Sequence, residues 1–208
     1  MTVKKTNIKT FFTTSIMQIQ LDLDTDKLTE LAFQIQNKDK RGVQVTNKGG
    51  WHSNDINKEK HEEFIRLKKE ITQSLQVYHL EVFEGMKFTT NVTQNIVNMW
   101  VNINEKHHYN EWHVHPFATL SGAYYIKHDG SAEGGDILFK HPKAEYMVAA
   151  HWPPEIVEAY NDATSGIVNI TPKSNMLLIF PSWLEHKVES NLKNDTRISV
   201  AFNSQLSS

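Results

Sequence analysis

The sequence contains no cysteine, and this absence removes several classes of protein from consideration. Without thiolates the chain has no disulfides, no cysteine nucleophile, no iron–sulfur cluster and no zinc–thiolate site. Any bound metal must therefore be held by histidines and carboxylates, and eleven histidines are available for that role. The lack of disulfides also leads us to expect a cytoplasmic location.

Long hydrophobic runs and a surplus of one charge are also lacking. No apolar run approaches the roughly 20 residues needed to cross a bilayer, and no apolar segment follows the N-terminal lysines as it would in a signal peptide. The net charge is -2, so the chain has no basic excess to attract a phosphate backbone. We therefore expect neither a membrane nor a nucleic-acid partner.

Proline, glycine and serine do not cluster into a linker that would divide the 208 residues. The chain is long enough to bury a sizeable core without covalent staples. We predict a single domain over residues 1–208, with a helical N-terminal part at 1–91 and a β-rich core at 92–208.

Apolar residues recur at helical spacing twice in the N-terminal part. The first stripe predicts a helix that begins after Asp24 and Thr25, and the second predicts a longer helix from about Asn57. The residues of the two stripes are Leu28, Leu31, Ala32 and Ile35, then Phe64, Leu67, Ile71, Leu75 and Tyr78.

From about residue 92 the hydrophobic period changes to two, which indicates half-buried strands. Val97, Met99, Val101 and Ile103 alternate with polar residues and Trp100. Further short strands are predicted at 112–116, 121–127, 136–140, 167–171, 175–180, 184–189 and 197–203. The segment 143–166 fits a surface loop or a short helix from Glu155. Many short strands separated by turn residues favour a sandwich or barrel, so the predicted class is α+β.

His113 and His115 are the first residues with a chemical signature. Residues two apart on a strand point to the same face, so both imidazoles can converge on one metal ion. Glu111 shares that face if the strand extends so far. A lone pair of this kind is more often two polar residues on a solvated strand face.

Two further segments strengthen the metal hypothesis. His186 follows the apolar strand that ends at Phe180, and a sandwich can bring it opposite the first pair. Arg197 and Ser199 share one face of the last strand, where a buried arginine needs a partner, and a carboxylate ligand is the natural one. The turn Gly134-Gly135 leads into a strand where the backbone can approach another group closely.

The order of these segments resembles the Fe(II)/2-oxoglutarate-dependent oxygenases. The resemblance is carried by HxH at 113–115, Ser-Gly-Ala-Tyr-Tyr-Ile at 121–126, Gly-Gly-Asp-Ile-Leu-Phe at 134–139, Phe-Pro-Ser-Trp-Leu-x-His-x-Val at 180–188 and Arg-Ile-Ser-Val-Ala-Phe-Asn at 197–203. It is most specific over residues 98–203. The sequence is most similar to a group of such oxygenases found in marine bacteria and their phages, which Gly-Gly-Trp-His-Ser at 49–53 also resembles.

The resemblance implies a double-stranded β-helix, a jelly-roll or cupin-like sandwich, with the N-terminal helices packed on it. It implies an oxygenase that uses Fe(II) and 2-oxoglutarate to hydroxylate a substrate, with release of succinate and CO2. The residues that it assigns are three iron ligands (His113, His115 and His186), the cosubstrate-binding Arg197, Ser199 and Tyr124 or Tyr125, and pocket-lining Asn98, Trp100 and Asn102.

One position departs from the superfamily pattern, in which two histidines and one carboxylate hold the iron. His115 stands where the carboxylate is usual, so a three-histidine site is the preferred interpretation. The alternative is that Glu111 or Asp136 supplies a carboxylate ligand and that His115 lies behind the metal or faces the substrate.

Two other functions fit parts of the same pattern. A non-catalytic metal-binding β-sandwich, such as a sensor or a degraded enzyme, needs the histidines but not Arg197. A cupin-type metalloenzyme with zinc or manganese would use the same place without 2-oxoglutarate. The small-molecule partners expected are 2-oxoglutarate and O2, and exposed sandwich edges make a homodimer conceivable.

Overall fold

The structure is a computed structural model that describes residues 9–144, 155–161 and 164–208. The described part contains two α-helices, eleven strands and one 3-10 turn at Ala132–Gly134. The helices are α1 (Thr25–Lys38) and α2 (Glu62–Val82). The strands are β1 (Met17–Gln20), β2 (Asn47–Lys48), β3 (Trp51–His52), β4 (Thr93–Asn104), β5 (Tyr109–His113), β6 (Leu120–Lys127), β7 (Ile137–Lys140), β8 (Ile167–Ile170), β9 (Met176–Pro181), β10 (His186–Val188) and β11 (Arg197–Ser207).

The strands form two facing sheets. The larger has six strands in the order β1-β9-β6-β11-β4-β3, and the smaller has five in the order β2-β5-β10-β7-β8. From β4 onward, successive strands switch from one sheet to the other in a jelly-roll pattern, except that β7 and β8 are neighbours in the smaller sheet. The predicted double-stranded β-helix with helices packed on it is therefore confirmed.

Residue alternation on β4 and β11 explains how the larger sheet acquires two different faces. The two strands pair antiparallel from Asn104 with Arg197 to Thr93 with Ser207. One face carries fully or nearly fully buried apolar side chains, namely Met99, Val101, Ile103, Ile198, Val200 and Phe202. These side chains join the buried stripes of α1 and α2 in the main hydrophobic core. The other face points toward the smaller sheet.

Both predicted helices are present, and the second begins later than predicted. Helix α1 begins where predicted, because the Asp24 carboxylate accepts a hydrogen bond of 2.9 Å from the Lys27 backbone N–H as an N-cap. Helix α2 begins at Glu62, later than the predicted Asn57, because Asn57 lies in a turn where its N–H donates to Asp55. Within the described ranges no helix has the length and apolar character needed to cross a membrane.

The part of the chain before residue 92 also contributes strands, which the sequence did not predict. Strand β1 extends one edge of the larger sheet beside β9, β3 extends the other beside β4, and β2 joins the smaller sheet beside β5. Of the segment 143–166, residues 145–154 and 162–163 lie outside the described residues. The described stretch 155–161 forms turns and bends, which fits the predicted loop and not the alternative short helix from Glu155.

Packing of α2 against the larger sheet provides a direct test of this core. Ile71 is fully buried, whereas Ile65 on the same helix is 53% exposed. We expect Ile71→Ala to lower the free energy of unfolding by about 2–5 kcal/mol, since it removes buried methyl groups and leaves a cavity. Ile65→Ala should change it by less than about 0.5 kcal/mol. Urea denaturation of both variants makes the comparison, and equal effects would contradict this packing.

Candidate metal and cosubstrate site

A cavity of about 370 Å³ lies between the two sheets. Its walls come mainly from the inward face of β4, β5, β6, β10 and β11. The polar side chains that line it are Thr46, His52, Asn98, Trp100, Asn102, Asn104, Asn110, His113, His115, Tyr125, His186, Arg197, Ser199 and Asn203. Among the described lining residues Arg197 is the one permanently charged group, and no carboxylate is present.

Three histidines converge at this cavity. His113 ends β5 and lies directly opposite His186, the first residue of β10. His115 follows the end of β5, and its backbone N–H donates to the Ser182 carbonyl at 2.9 Å. Each histidine offers a ring nitrogen, and these atoms all lie within 4.8 Å of one another. The three imidazoles are thus placed to hold one metal ion.

Backbone hydrogen bonds orient two of the imidazoles. Nδ1 of His113 lies 2.7 Å from the Glu111 carbonyl, and Nδ1 of His186 lies 2.8 Å from the Leu184 carbonyl. A carbonyl can only accept, so Nδ1 carries the proton in both rings and Nε2 has a free lone pair. The Nε2 atoms of His115 and His186 are 3.3 Å apart. Two nitrogens each bound at about 2.1 Å to one ion would be separated by roughly this distance. The donor set therefore fits a divalent metal.

Burial keeps these imidazoles neutral. It lowers the pKa of His113, and together with the neighbouring His113 ring it lowers the pKa of His115 to about 4 and that of His186 to about 3. A neutral imidazole is the form that binds a metal. The ligands are therefore ready to bind without first losing protons at neutral pH.

Neither alternative carboxylate ligand lies with the histidines. Glu111 is exposed and pairs with Lys48 at 3.3 Å. Its predicted alignment with His113 fails because β5 carries a bulge: His113 pairs with His186, but it is Asn110 that pairs with Val188. Asp136 is buried and accepts a 2.9 Å hydrogen bond from Asn169. Among the described residues the cluster that could hold a metal ion comprises His113, His115 and His186.

Arg197 lines the same cavity and is 3% exposed. Its Nη1 donates to the backbone carbonyls of Gly134 and Glu189 at 2.9 and 3.0 Å. Its Nη2 is buried and has no hydrogen-bond partner within the described structure. Burial lowers the pKa of Arg197 to about 10, which still leaves the guanidinium charged at neutral pH. A buried cation with an unpaired donor is costly unless an anion binds it.

Gly135 explains how the guanidinium is held. Its φ of +97° is readily adopted only by glycine, and a Cβ at this position would lie 2.0 Å from Arg197 Nη1. The close approach anticipated at the Gly134-Gly135 turn is therefore an approach to Arg197.

The two adjacent tyrosines of β6 point in opposite directions. Tyr124 packs in the core beneath the helices, and its hydroxyl donates to Asn175 at 2.5 Å. Tyr125 lines the cavity and pairs across the ladder with Ser199, which lines it too. The structure thus places Tyr125 at the cavity and corrects the placement of Tyr124 there.

The side chains predicted to line the pocket from β4 are where the alternation places them. Asn98, Trp100 and Asn102 all face the cavity. Asn104 and Asn203 also line the cavity and were not predicted to do so, although the same period of two extends to them along β4 and β11. Asn110, likewise not predicted, is brought to the cavity by the bulge in β5.

His52 completes one wall of the cavity. Its ring stacks on Trp100 with centroids 5.3 Å apart and an interplanar angle of 12°. Trp100 in turn lies 6.0 Å from the ring of His115. Trp51 precedes His52 in the Gly-rich loop and is 8% exposed. Its indole N–H donates a 2.8 Å hydrogen bond to the Asp39 carbonyl, which anchors this loop.

Several solved structures have the same fold as this chain. A prolyl-4-hydroxylase from Pseudomonas putida superposes with a TM-score of 0.60 at 14% identity, covering 93% of this chain and 94% of its own. HygX from Streptomyces hygroscopicus, solved with nickel and 2-oxoglutarate, gives 0.58 at 11%, covering 92% and 83%. The viral collagen prolyl hydroxylase of Paramecium bursaria Chlorella virus-1, solved with 2-oxoglutarate, gives 0.55 at 13%, covering 91% and 94%. At these identities the likeness establishes the fold.

A comparison with protein families identifies more than the fold. Residues 98–203, about half of the chain, match the family described as "Putative 2OG-Fe(II) oxygenase", and the protein belongs to that family. Its cofactor is accordingly Fe(II), with 2-oxoglutarate as cosubstrate, and the three histidines could bind the metal. No curated protein matches the sequence significantly.

Replacing single candidate ligands tests which residues hold the metal. We expect His115→Ala or His186→Ala to weaken Co(II) binding at least about 100-fold, more than the loss of a supporting residue behind a metal ligand typically costs. Glu111→Gln and Asp136→Asn should bind Co(II) as the unaltered protein does. Anaerobic titration followed by the visible Co(II) spectrum measures all four. Weakened binding in either carboxylate variant would contradict the three-histidine set.

The lowered pKa values also predict how the metal-free protein responds to acid. Unfolded-state imidazoles protonate near pH 6.5, whereas His115 and His186 stay neutral in the folded state down to about pH 4 and 3. Between these limits the unfolded state binds more protons, so stability falls as the pH falls from about 6.5. Urea denaturation at about pH 7 and pH 5 should show this loss, and His186→Gln should show a smaller one. An equal loss in both proteins would argue that His186 is not buried in its neutral form.

Proposed function

We propose that this protein is an Fe(II)- and 2-oxoglutarate-dependent dioxygenase that hydroxylates a substrate, with release of succinate and CO2. The observation that supports this most strongly is the unpaired Nη2 of Arg197, a buried cationic donor in the same cavity as three neutral histidines. A protein that only binds a metal has no need for that charge.

His113, His115 and His186 would hold the iron. When bound with 2-oxoglutarate and O2, the iron supplies the oxidising chemistry that decarboxylates the cosubstrate and hydroxylates the substrate. Three protein ligands leave coordination positions free for small molecules. The protein's own contribution is to keep these imidazoles neutral, to fix the Nε2 lone pairs of His113 and His186 and to bury the site.

Arg197 would bind the carboxylate of 2-oxoglutarate that lies away from the metal. Its Nη1 is held by two carbonyls, so Nη2 has a fixed direction and can donate without reorganisation. Ser199, two residues further along β11, and its cross-strand partner Tyr125 line the same cavity. Burial raises the pKa of the Tyr125 phenol, which therefore remains a neutral hydrogen-bond donor.

The charges in the cavity suit a dianion. The three imidazoles contribute none, so a bound Fe(II) would keep its full charge, and Arg197 adds one more positive charge. The described lining contains no aspartate or glutamate to offset them. A ligand with a carboxylate at each end satisfies the metal and Arg197 together.

Side-chain exposure increases along the paired strands β4 and β11, so the cavity has a buried deep end and a more exposed mouth. Arg197 and its partner Asn104 are 3% and 2% exposed, whereas Asn98 and Asn203 at the other end are partly exposed. We place the cosubstrate between the histidines and the deep end. The substrate would then approach from the mouth, and a bound cosubstrate would close the deep end to water.

Anaerobic titration of the Fe(II)-loaded protein with 2-oxoglutarate tests the proposal. We expect a weak visible charge-transfer band from the chelated cosubstrate, and Arg197→Ala should weaken 2-oxoglutarate binding about 10- to 100-fold, since one or two charge-assisted hydrogen bonds are lost. Arg66→Ala, an exposed arginine on α2, is the matched control. Bound iron without any band would instead favour a non-catalytic metal-binding sandwich or a cupin-type metalloenzyme.

A second variant perturbs Arg197 without removing its charge. Gly135→Ala brings a methyl group against Nη1 and should weaken 2-oxoglutarate binding while leaving Co(II) binding intact. Gly85→Ala is the control, because Gly85 has a similar φ of +80° but nothing within 4 Å of an added Cβ. It therefore reproduces the backbone strain without the contact. Equal 2-oxoglutarate affinities in the two variants would show that the contact with Arg197 is unimportant.

A further inference from the structure

The mouth of the cavity differs chemically from its deep end. It is formed by Asn98, Asn203 and Trp100, together with the small residues Gly122 and Ala201. From this arrangement we propose that the substrate is a polypeptide segment whose backbone amide is bound by Asn98 and Asn203. The inference rests on the proposed oxygenase function and specifies its substrate class.

Asn98 and Asn203 are direct partners across the β4–β11 ladder. The Asn98 Oδ1 atom is buried and has no hydrogen-bond partner in the described structure. The Asn203 Oδ1 atom accepts a 2.7 Å hydrogen bond from the Ser121 hydroxyl, which leaves its Nδ2 to donate elsewhere. The pair thus offers an acceptor and a donor side by side. A peptide group presents the complementary N–H and C=O.

The absence of charge at the mouth narrows the substrate class. Among the described lining residues no carboxylate could receive an ammonium group, and Arg197, buried at the opposite end, is the one permanent cation. A free amino acid would enter with its ammonium unpaired, at a considerable cost in desolvation. A phosphorylated metabolite would likewise find no cation at the mouth. A peptide group is polar but uncharged and meets neither penalty.

An apolar groove continues outward from the cavity. Val114, His115 and Pro116 line both the cavity and a neighbouring groove of about 750 Å³. The groove also carries Trp183 and Phe117, which are 55% and 92% exposed. Phe117 also adopts a φ of +64°, which is an uncommon backbone conformation for an aromatic residue.

The continuity of the groove with the cavity favours a polymer over a small amide. A single amide-bearing metabolite would occupy the mouth and leave the groove empty. A polypeptide would place one residue at the histidines and lay its neighbours along the apolar surface. Exposed aromatic residues are common anchors for such chains.

Saturation-transfer NMR on the Zn(II)-loaded protein with 2-oxoglutarate tests this without turnover. The probes are a mixture of N-acetylated, C-amidated hexapeptides, N-acetylglycinamide, and the free amino acids. We expect saturation transfer to the hexapeptides, weaker transfer to N-acetylglycinamide and none to the free amino acids. Transfer to the free amino acids equal to that for the hexapeptides, or no transfer to any peptide, would overturn the inference.

Single-residue variants test the asparagine pair and the apolar groove separately. Asn98→Ala and Asn203→Ala should each weaken hexapeptide binding about fivefold, the loss of one net hydrogen bond. Asn95→Ala on the same strand is the matched control, since its side chain bonds to Thr93 and Ser207 outside the cavity. Trp183→Ala should weaken the hexapeptides about fivefold or more but not N-acetylglycinamide. Unchanged hexapeptide binding in the asparagine variants or in the Trp183 variant would contradict the corresponding contact.

Binding of 2-oxoglutarate in the same samples distinguishes a wrong substrate class from a wrong oxygenase function. If 2-oxoglutarate binds in an Arg197-dependent manner and the peptides do not bind, the substrate class is wrong and the oxygenase function stands. If 2-oxoglutarate itself does not bind, the proposed function fails first.

Discussion

The pleat of the β4–β11 ladder is the constraint on which the rest of this structure depends. Successive side chains must point to opposite faces of a strand, so one pair of strands can serve two environments at once. The residues at even positions 98–104 of β4 face the cavity and the intervening ones face the helices, with the corresponding split on β11. The face packed against α1 and α2 supplies most of the buried apolar surface. That stability permits the opposite face to carry asparagines and an arginine, which contribute little to folding.

Among these cavity residues, Arg197 has the highest free-energy cost of burial because it is charged. Among the described residues its guanidinium has no carboxylate partner, and the hydrogen bonds that it makes there go to backbone carbonyls. Replacing such a group by an apolar residue of similar volume is often neutral or stabilising. Its presence is therefore better explained by a ligand than by stability. Gly135 has a positive φ and leaves no room for a Cβ beside Nη1, so the neighbouring backbone accommodates this side chain closely.

Much of the site could be predicted from the sequence because it follows from strand periodicity. The cavity positions of Asn98, Trp100, Asn102, Arg197 and Ser199 all rest on a period of two. Where that period gave no information, the prediction failed. Both faces of β6 are buried, so no polar alternation shows which of Tyr124 and Tyr125 faces the cavity. The bulge in β5 shifts the phase by one residue, and an inserted residue has no signature in hydropathy. Strand β1 does alternate, with Met17 and Ile19 between glutamines, but it lies in the part of the chain predicted to be helical. Strands β2 and β3 have two residues each, too few for a period to be visible.

The three-histidine set has a consequence for how metal and cosubstrate depend on each other. A carboxylate ligand would cancel part of the charge of Fe(II), whereas three neutral imidazoles cancel none of it. The 2-oxoglutarate dianion would then neutralise the metal directly, so each should bind more tightly in the presence of the other. By thermodynamic linkage this coupling is reciprocal, and the low dielectric of the buried site strengthens it. With this ligand set the cosubstrate would compensate for the absent carboxylate, which is consistent with a cavity whose described lining contains no acidic residue.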